Sequence, residues 1–67
     1  MITSIKRQVL RMRQKYYRKK WDYYEDKALE YFDDNRLEKS DYYADISSKY
    51  FKKYLDVTTE LWELAFN

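Results

Sequence analysis

A row of cationic side chains near the N-terminus has the spacing needed to contact several phosphates. The row consists of Arg7, Arg11, Lys15 and Arg18. Steps of four, four and three residues place these side chains along one face of a helix, over about 16 Å. That length is close to a few phosphate spacings on one nucleic-acid strand. Three of the four are arginines, whose planar guanidinium group suits phosphate oxygens.

Aromatic residues are interleaved with further cations in the same stretch. Tyr16 and Tyr17 precede Arg18, Lys19 and Lys20, and Trp21 follows them. Mixtures of this kind can stack bases while neutralising phosphates. Tyr17 and Trp21 also have the spacing of a helix core. The residues predicted to bind nucleic acid are therefore the four cations of the row together with Lys19 and Tyr16.

The composition excludes most other chemistry. The 67 residues include no Cys, His, Gly or Pro. Without these residue types there is no disulfide, no Cys/His zinc site, no imidazole base and no glycine-rich phosphate loop. We therefore expect no enzymatic activity, no catalytic residue, no metal, no cofactor and no small-molecule substrate. No apolar run reaches the ~18 residues of a membrane span, so we expect a cytoplasmic protein that makes no membrane contact.

Charge is distributed very unevenly along the chain, although the net charge is only +2. Residues 1–20 contain eight Lys and Arg and no acid, whereas residues 21–38 contain seven acids and two cations. Cations near a helix N-terminus and anions near its C-terminus each destabilise the helix by roughly 0.3–1 kcal/mol. Helix stability alone therefore does not account for this arrangement.

Two explanations of the basic segment remain open. In an antiparallel hairpin, Asp56, Glu60 and Glu63 would lie beside the basic end and could pair with it. Three acids cannot balance eight cations, but an antiparallel dimer could absorb more by laying the basic half of one chain against the acidic half of another. Under this first explanation the charges serve only self-assembly and solubility. Under the second, the surplus is a binding surface for a polyanion or for an acidic protein.

Two helices are predicted to position these residues, at about 5–33 and 41–66. The segment 33–41 between them is polar, Asn35 is a candidate for a left-handed helix stop, and Ser40 or Asp41 could cap the second helix. The expected fold is all-α, a single helical domain over 1–67 in which two long antiparallel helices form a helical hairpin. Because no Gly or Pro interrupts the chain, one continuous helix is the alternative.

Apolar residues recur at helical spacing in both segments, and in the first they form two stripes. One stripe of the first helix contains Ile5, Val9, Met12, Tyr16 and Tyr23, and the other contains Leu10, Tyr17, Trp21, Tyr24, Ala28, Tyr31 and Phe32. A hairpin buries only about a third of each helix, so apolar surface is left over. The surplus predicts a homodimer, as a four-helix bundle, or a protein partner. The candidate protein-interface residues are Tyr43, Tyr50, Tyr54, Leu61 and Trp62.

These features predict a small non-enzymatic binding protein. The first hypothesis is a nucleic-acid-associated regulator whose basic N-terminal helix contacts the DNA or RNA backbone with little sequence preference. The alternative is an inhibitor or adaptor encoded by a phage or mobile element. It would dock on a host protein, for example a defence nuclease that itself binds nucleic acid. A purely structural helical bundle is the third possibility.

Overall fold

The structure is a computed structural model that describes residues 2–66, and it confirms the predicted helical hairpin. Helix α1 spans Ile2–Asp33 and helix α2 spans Leu37–Phe66. The two helices lie side by side in a rod of 51 × 15 × 12 Å. The radius of gyration is 15.2 Å, whereas a compact globule of this length would have about 11 Å. A rod this thin leaves most side chains in contact with solvent.

Asn35 ends α1, as its residue type predicts. Its φ of 62° lies in the left-handed region, where asparagine is among the residues tolerated best. The Arg36 N–H donates to the Tyr31 carbonyl at 2.8 Å, and the Asn35 N–H donates to the Phe32 carbonyl at 3.1 Å. These two bonds form a Schellman motif, which satisfies carbonyls that the helix end would otherwise leave unpaired. The chain therefore reverses here, and the alternative of one continuous helix is wrong.

The connection is shorter than predicted, because α2 begins at Leu37 rather than near Asp41. The Ser40 N–H donates to the Arg36 carbonyl at 3.0 Å, which places Arg36 at the N-terminal cap position. Ser40 is buried, and its hydroxyl donates to the Ala28 carbonyl of α1 at 2.8 Å. It therefore joins the two helices instead of capping α2.

The helices meet along a seam whose residues alternate steps of three and four. This is the 3.5-residue repeat of a two-stranded coiled coil, and every seam residue is buried or half-buried. The α1 side of the seam uses the second apolar stripe and leaves the first exposed. The seam consists of Leu10, Gln14, Tyr17, Trp21, Tyr24, Ala28 and Tyr31 of α1, with Ser40, Tyr43, Ser47, Tyr50, Tyr54, Val57, Leu61 and Leu64 of α2.

The two edges of the seam differ in chemistry. Tyrosine rings stack along one edge, for example Tyr24 against Tyr50 at 5.7 Å and Tyr31 against Tyr43 at 5.4 Å between centroids. The other edge is lined by small residues, where the Ser47 hydroxyl donates to the Trp21 carbonyl at 3.2 Å. Because these small side chains fill little space, they leave an open groove along that edge of the hairpin.

Candidate functional site

The basic half of α1 is not neutralised within the hairpin. The only ion pair among the described residues 2–66 joins Lys27 Nζ to Glu30 Oε2 at 3.7 Å, and both belong to the other half of α1. Glu60 and Glu63 do lie near the basic end, as the hairpin predicted, because they line a shallow depression with Lys6. No carboxylate of residues 2–66 pairs with Lys6 or with the other seven cations of residues 6–20. Internal pairing therefore does not account for the basic segment.

Four of the six residues predicted to bind nucleic acid lie together. They line one shallow depression on the side of α1 that faces away from α2, together with Met12 and Asp22. All four are exposed: Lys15, Tyr16, Arg18 and Lys19. Ammonium and guanidinium groups around one aromatic ring can contact phosphate oxygens while the ring accepts a base. We call this group the outward cluster.

Arg7 and Arg11 are exposed but belong to a different surface. They line the groove on the small-residue edge, beside Leu61 and Trp62 of α2. At about 100° per residue, Arg7 lies half a turn away from Tyr16 around the helix axis. The predicted set is therefore divided between two sides of α1, although Arg18 lies close to the boundary between them.

An exposed apolar strip runs along the outward side of α1. Ile5 is 64% exposed, Met12 71% and Tyr16 53%, and Val9 continues the strip. Cations flank the strip on both sides. The cations of the outward cluster lie on one side of it, and Lys6, Arg13 and Lys20 lie on the other. Phosphates approaching this side of α1 would meet positive charge around most of its exposed circumference.

Lysines on the tyrosine edge were not singled out by the sequence reasoning. Lys53 Nζ lies 5.8 Å from the Tyr17 ring centroid and 5.5 Å from that of Tyr50. Lys39 Nζ lies 5.4 Å from the centroid of Tyr31. An ammonium group over an aromatic face at this distance is stabilised by the ring quadrupole. Lys39 and Lys53 are fourteen residues apart, twice the seven-residue step from Tyr17 to Tyr24 and Tyr31, and this shared repeat is the signal that could have identified the edge.

Four of the five predicted protein-interface residues are already used inside the hairpin. Tyr43, Tyr50, Tyr54 and Leu61 are half-buried in the seam. The Tyr54 ring, for example, lies 5.8 Å from that of Trp21. The fifth residue, Trp62, is 61% exposed at the groove. Of the predicted set, Trp62 therefore offers the most surface to another molecule.

Two shallow depressions on the small-residue edge, one near the turn and one towards the chain ends, define a second candidate surface, which we call the groove face. Near the turn it is lined by Trp21, Glu25, Ala28, Leu29 and Phe32 of α1 with Ser40, Ala44, Ser47, Ser48 and Phe51 of α2. Towards the chain ends it is lined by Arg7, Arg11, Gln14, Thr58, Leu61, Trp62, Ala65 and Phe66. Its α2 part carries no charge, whereas its α1 part carries arginines at one end and Glu25 nearer the turn.

The acidic residues do not form a metal site in the described part of the chain, where no three of them converge. Neither α1 nor α2, over residues 2–66, has a stretch long and apolar enough to cross a bilayer. No protein-family model matches the chain, and no curated protein or solved structure shows significant similarity to it.

Proposed function

We propose that this protein binds the phosphate backbone of a nucleic acid through the N-terminal half of α1. The observation that supports this proposal best is the set of eight cations in residues 6–20, none of which is paired with a carboxylate of residues 2–66. Surface charge of one sign attracts a polyanion over long distances. Because the cations lie on a preformed helix, little backbone ordering is needed for binding.

The energetic cost of the arrangement supports the same conclusion. Arg11, Lys15 and Lys19 follow at steps of four, so like charges are neighbours on the helix surface. Each such pair destabilises a helix by roughly 0.2–0.5 kcal/mol. Phosphates bound along this face would neutralise these like-charge contacts, which the rest of the hairpin does not do.

The outward cluster is the centre of the proposed contact. Lys15, Arg18 and Lys19 are exposed and surround the half-exposed ring of Tyr16. The cations supply sequence-independent attraction, and Tyr16 supplies a face on which an unpaired base can stack. Single-stranded DNA or RNA can use both features, whereas a duplex can use only the cations.

Fluorescence anisotropy would test the proposal directly. The full chain is titrated into labelled single-stranded DNA, RNA and duplex DNA at 50 and 200 mM salt. With about five phosphate contacts, affinity should fall roughly 500-fold for the duplex and roughly 130-fold for a single strand between the two salt concentrations. Failure to bind any of the three at 50 mM salt would overturn the proposal.

A matched pair of variants locates the surface. Lys15→Glu with Lys19→Glu should weaken binding at least about tenfold and reduce the salt slope by about two contacts. Lys49→Glu with Lys52→Glu makes the same change in net charge on the exposed side of α2. Equal loss in both variants would mean that net charge, and not the outward cluster, governs binding. Circular dichroism verifies that both variants stay helical.

A further inference from the structure

We infer that the groove face is the interface of a homodimer, in which two hairpins pack face to face with their long axes antiparallel to form a four-helix bundle. The inference does not depend on nucleic-acid binding, because Lys15, Tyr16 and Lys19 of the outward cluster lie on another side of α1, and only Arg18 borders both surfaces. It rests on four features: the uncharged strip of the groove face, the register of that strip, the charges beside it and the exposed area of the chain.

The first feature is a strip of α2 without any charged residue. Its members are Ala44, Ser48, Phe51, Leu55, Thr58 and Trp62. On the opposite side of the same helix, Asp45, Lys49, Lys52 and Asp56 are all exposed. Trp62 is 61% exposed and Leu55 is 44% exposed, and Leu29 and Phe32 of α1 extend the apolar surface. A contiguous apolar surface rimmed by charges is typical of a protein interface.

The second feature is the register of the strip, which is symmetric. Its steps of four, three, four, three and four residues read the same in both directions. An antiparallel second copy therefore places Ala44 against Trp62, Ser48 against Thr58 and Phe51 against Leu55. The largest side chain meets the smallest, and the middle pairs are similar in size, so the two strips interdigitate without a void. A parallel copy, related by a two-fold axis along the rods, would put Trp62 level with Trp62 but on diagonally opposed helices, so the strip would not pack against itself.

The third feature is charge complementarity on the α1 side of the face. Interhelical hydrogen bonds join Gln14 to Thr58 and Trp21 to Ser47, so the middle of the strip lies level with Tyr17, next to Arg18. Arg11 and Glu25 lie on either side of this level, and both line the groove face. The antiparallel copy therefore brings Arg11 of each hairpin within about one helical turn of Glu25 of the other. Asp22 lies one turn from Arg18 and offsets the meeting of the two Arg18 side chains.

The fourth feature is the amount of exposed surface. The chain exposes 5807 Å², whereas a compact monomer of this length would expose about 4,700 Å². The excess of about 1,100 Å² exceeds the roughly 800 Å² that each partner loses in a standard stable interface. A face-to-face interface of standard size would thus remove most of this excess from each hairpin.

Sedimentation equilibrium of the full chain tests the face. The unmodified protein should have twice the chain mass at micromolar concentrations. Trp62→Glu should raise the dimer dissociation constant about 30-fold or more, since it buries a charge at the interface. Tyr42→Glu is the matched control, because Tyr42 is also an aromatic of α2 that is 61% exposed, but it lies off the groove face. It should leave the dissociation constant within about threefold.

Disulfide trapping tests the orientation. The chain contains no cysteine, so Ser48→Cys and Thr59→Cys can be introduced singly at exposed positions on the same edge of the strip. When the two variants are mixed and oxidised, the antiparallel dimer should give the mixed 48–59 disulfide in preference to 48–48 or 59–59. The two variants carry tags of different size, so that electrophoresis separates the three products.

Each outcome decides the matter. A monomer at 100 μM would overturn the inference and leave the groove face for a different partner. A dimer that tolerates Trp62→Glu would show that another face is used, and a dominant 48–48 product would show parallel packing. Lys15→Glu with Lys19→Glu should remain dimeric, so loss of nucleic-acid binding and loss of dimerisation are separately observable.

Discussion

α1 and α2 contribute residues of the same spacing to the seam, but the surfaces they turn away from it differ. α2 alternates acids and bases, for example Asp45 with Lys49 and Lys53 with Asp56, as a solvated helix usually does. The first half of α1 carries eight cations and no acid. The hairpin requires only the seam. Both helices therefore supply the residues that build the fold. The unpaired cations that could bind a polyanion are concentrated on α1.

The seam, which both helices share, can be disrupted at its most buried apolar residue. Leu10 is 3% exposed, and its truncation in Leu10→Ala should lower the free energy of unfolding by about 2–3 kcal/mol. Met12 is on the same helix but 71% exposed, so Met12→Ala should change the free energy by less than about 0.5 kcal/mol. Urea unfolding followed by circular dichroism, at one chain concentration, measures both. Similar values for the two variants would show that the seam is not the stabilising element.

Substitutions on the small-residue edge of the seam should cause the next largest loss of stability. Ser47 is 6% exposed and packs against the Trp21 backbone. Ser47→Leu forces three extra carbon atoms between the helices and should cost about 1–3 kcal/mol. Ser47→Ala removes only the hydroxyl, which should cost about 0.5–1.5 kcal/mol. The close approach of the helices would be refuted if the leucine variant proved as stable as the alanine variant in thermal unfolding.

The turn between the helices should respond to backbone geometry alone. Asn35 holds a φ of 62°, and an alanine there loses about 1 kcal/mol because its Cβ disfavours the left-handed region. Asn35→Gly should preserve stability, since glycine adopts this conformation without steric cost. Thermal melts of the two variants compare them. An alanine variant as stable as the glycine variant would mean that the turn relaxes to another conformation.

The smallest change in stability is expected from reversing one of the cations that distinguish α1 from α2. Lys15→Glu converts like-charge contacts with Arg11 and Lys19 into favourable ones, so stability should rise by about 0.5–1 kcal/mol at low salt. The same change should weaken nucleic-acid binding. Lys49→Glu trades the favourable spacing with Asp45 for an equally favourable one with Lys53, so stability should stay nearly unchanged. A destabilised Lys15→Glu variant would indicate that this lysine serves the fold after all.

Sequence periodicity was sufficient for the two helices and the reversal at Asn35, because apolar spacing and left-handed tolerance are properties of residue types. It failed at residues 37–40, where a polar composition suggested a loop. Ser40 is polar in the sequence but buried in the hairpin, because a carbonyl of the facing helix accepts its hydroxyl proton. That partner is set by packing, which residue types alone do not reveal.

The candidate site was predictable to a similar extent. The exposure of the cations follows from their charge, and the structure shows it for all of the cations of residues 6–20 except Lys20, which is half-buried. The helical step alone sets Lys15 closer to Tyr16 than Arg7 is. Packing of α2 on one of the two apolar stripes of α1 then decides which side is covered, so that Arg7 borders the groove and Tyr16 faces away from α2.

The Schellman turn also determines how the molecule can fold and open. Interhelical hydrogen bonds join residues 12, 26 and 44 positions apart in order of distance from the turn. Each closes a longer loop than the one before, but the cost of closure is small once the previous contact has formed. The helices can therefore zip from the turn outward, and fraying starts at the opposite end. Amide hydrogen exchange should be slowest near Ala28 and fastest in the first turns of α1, so part of the basic segment lies where the chain opens first.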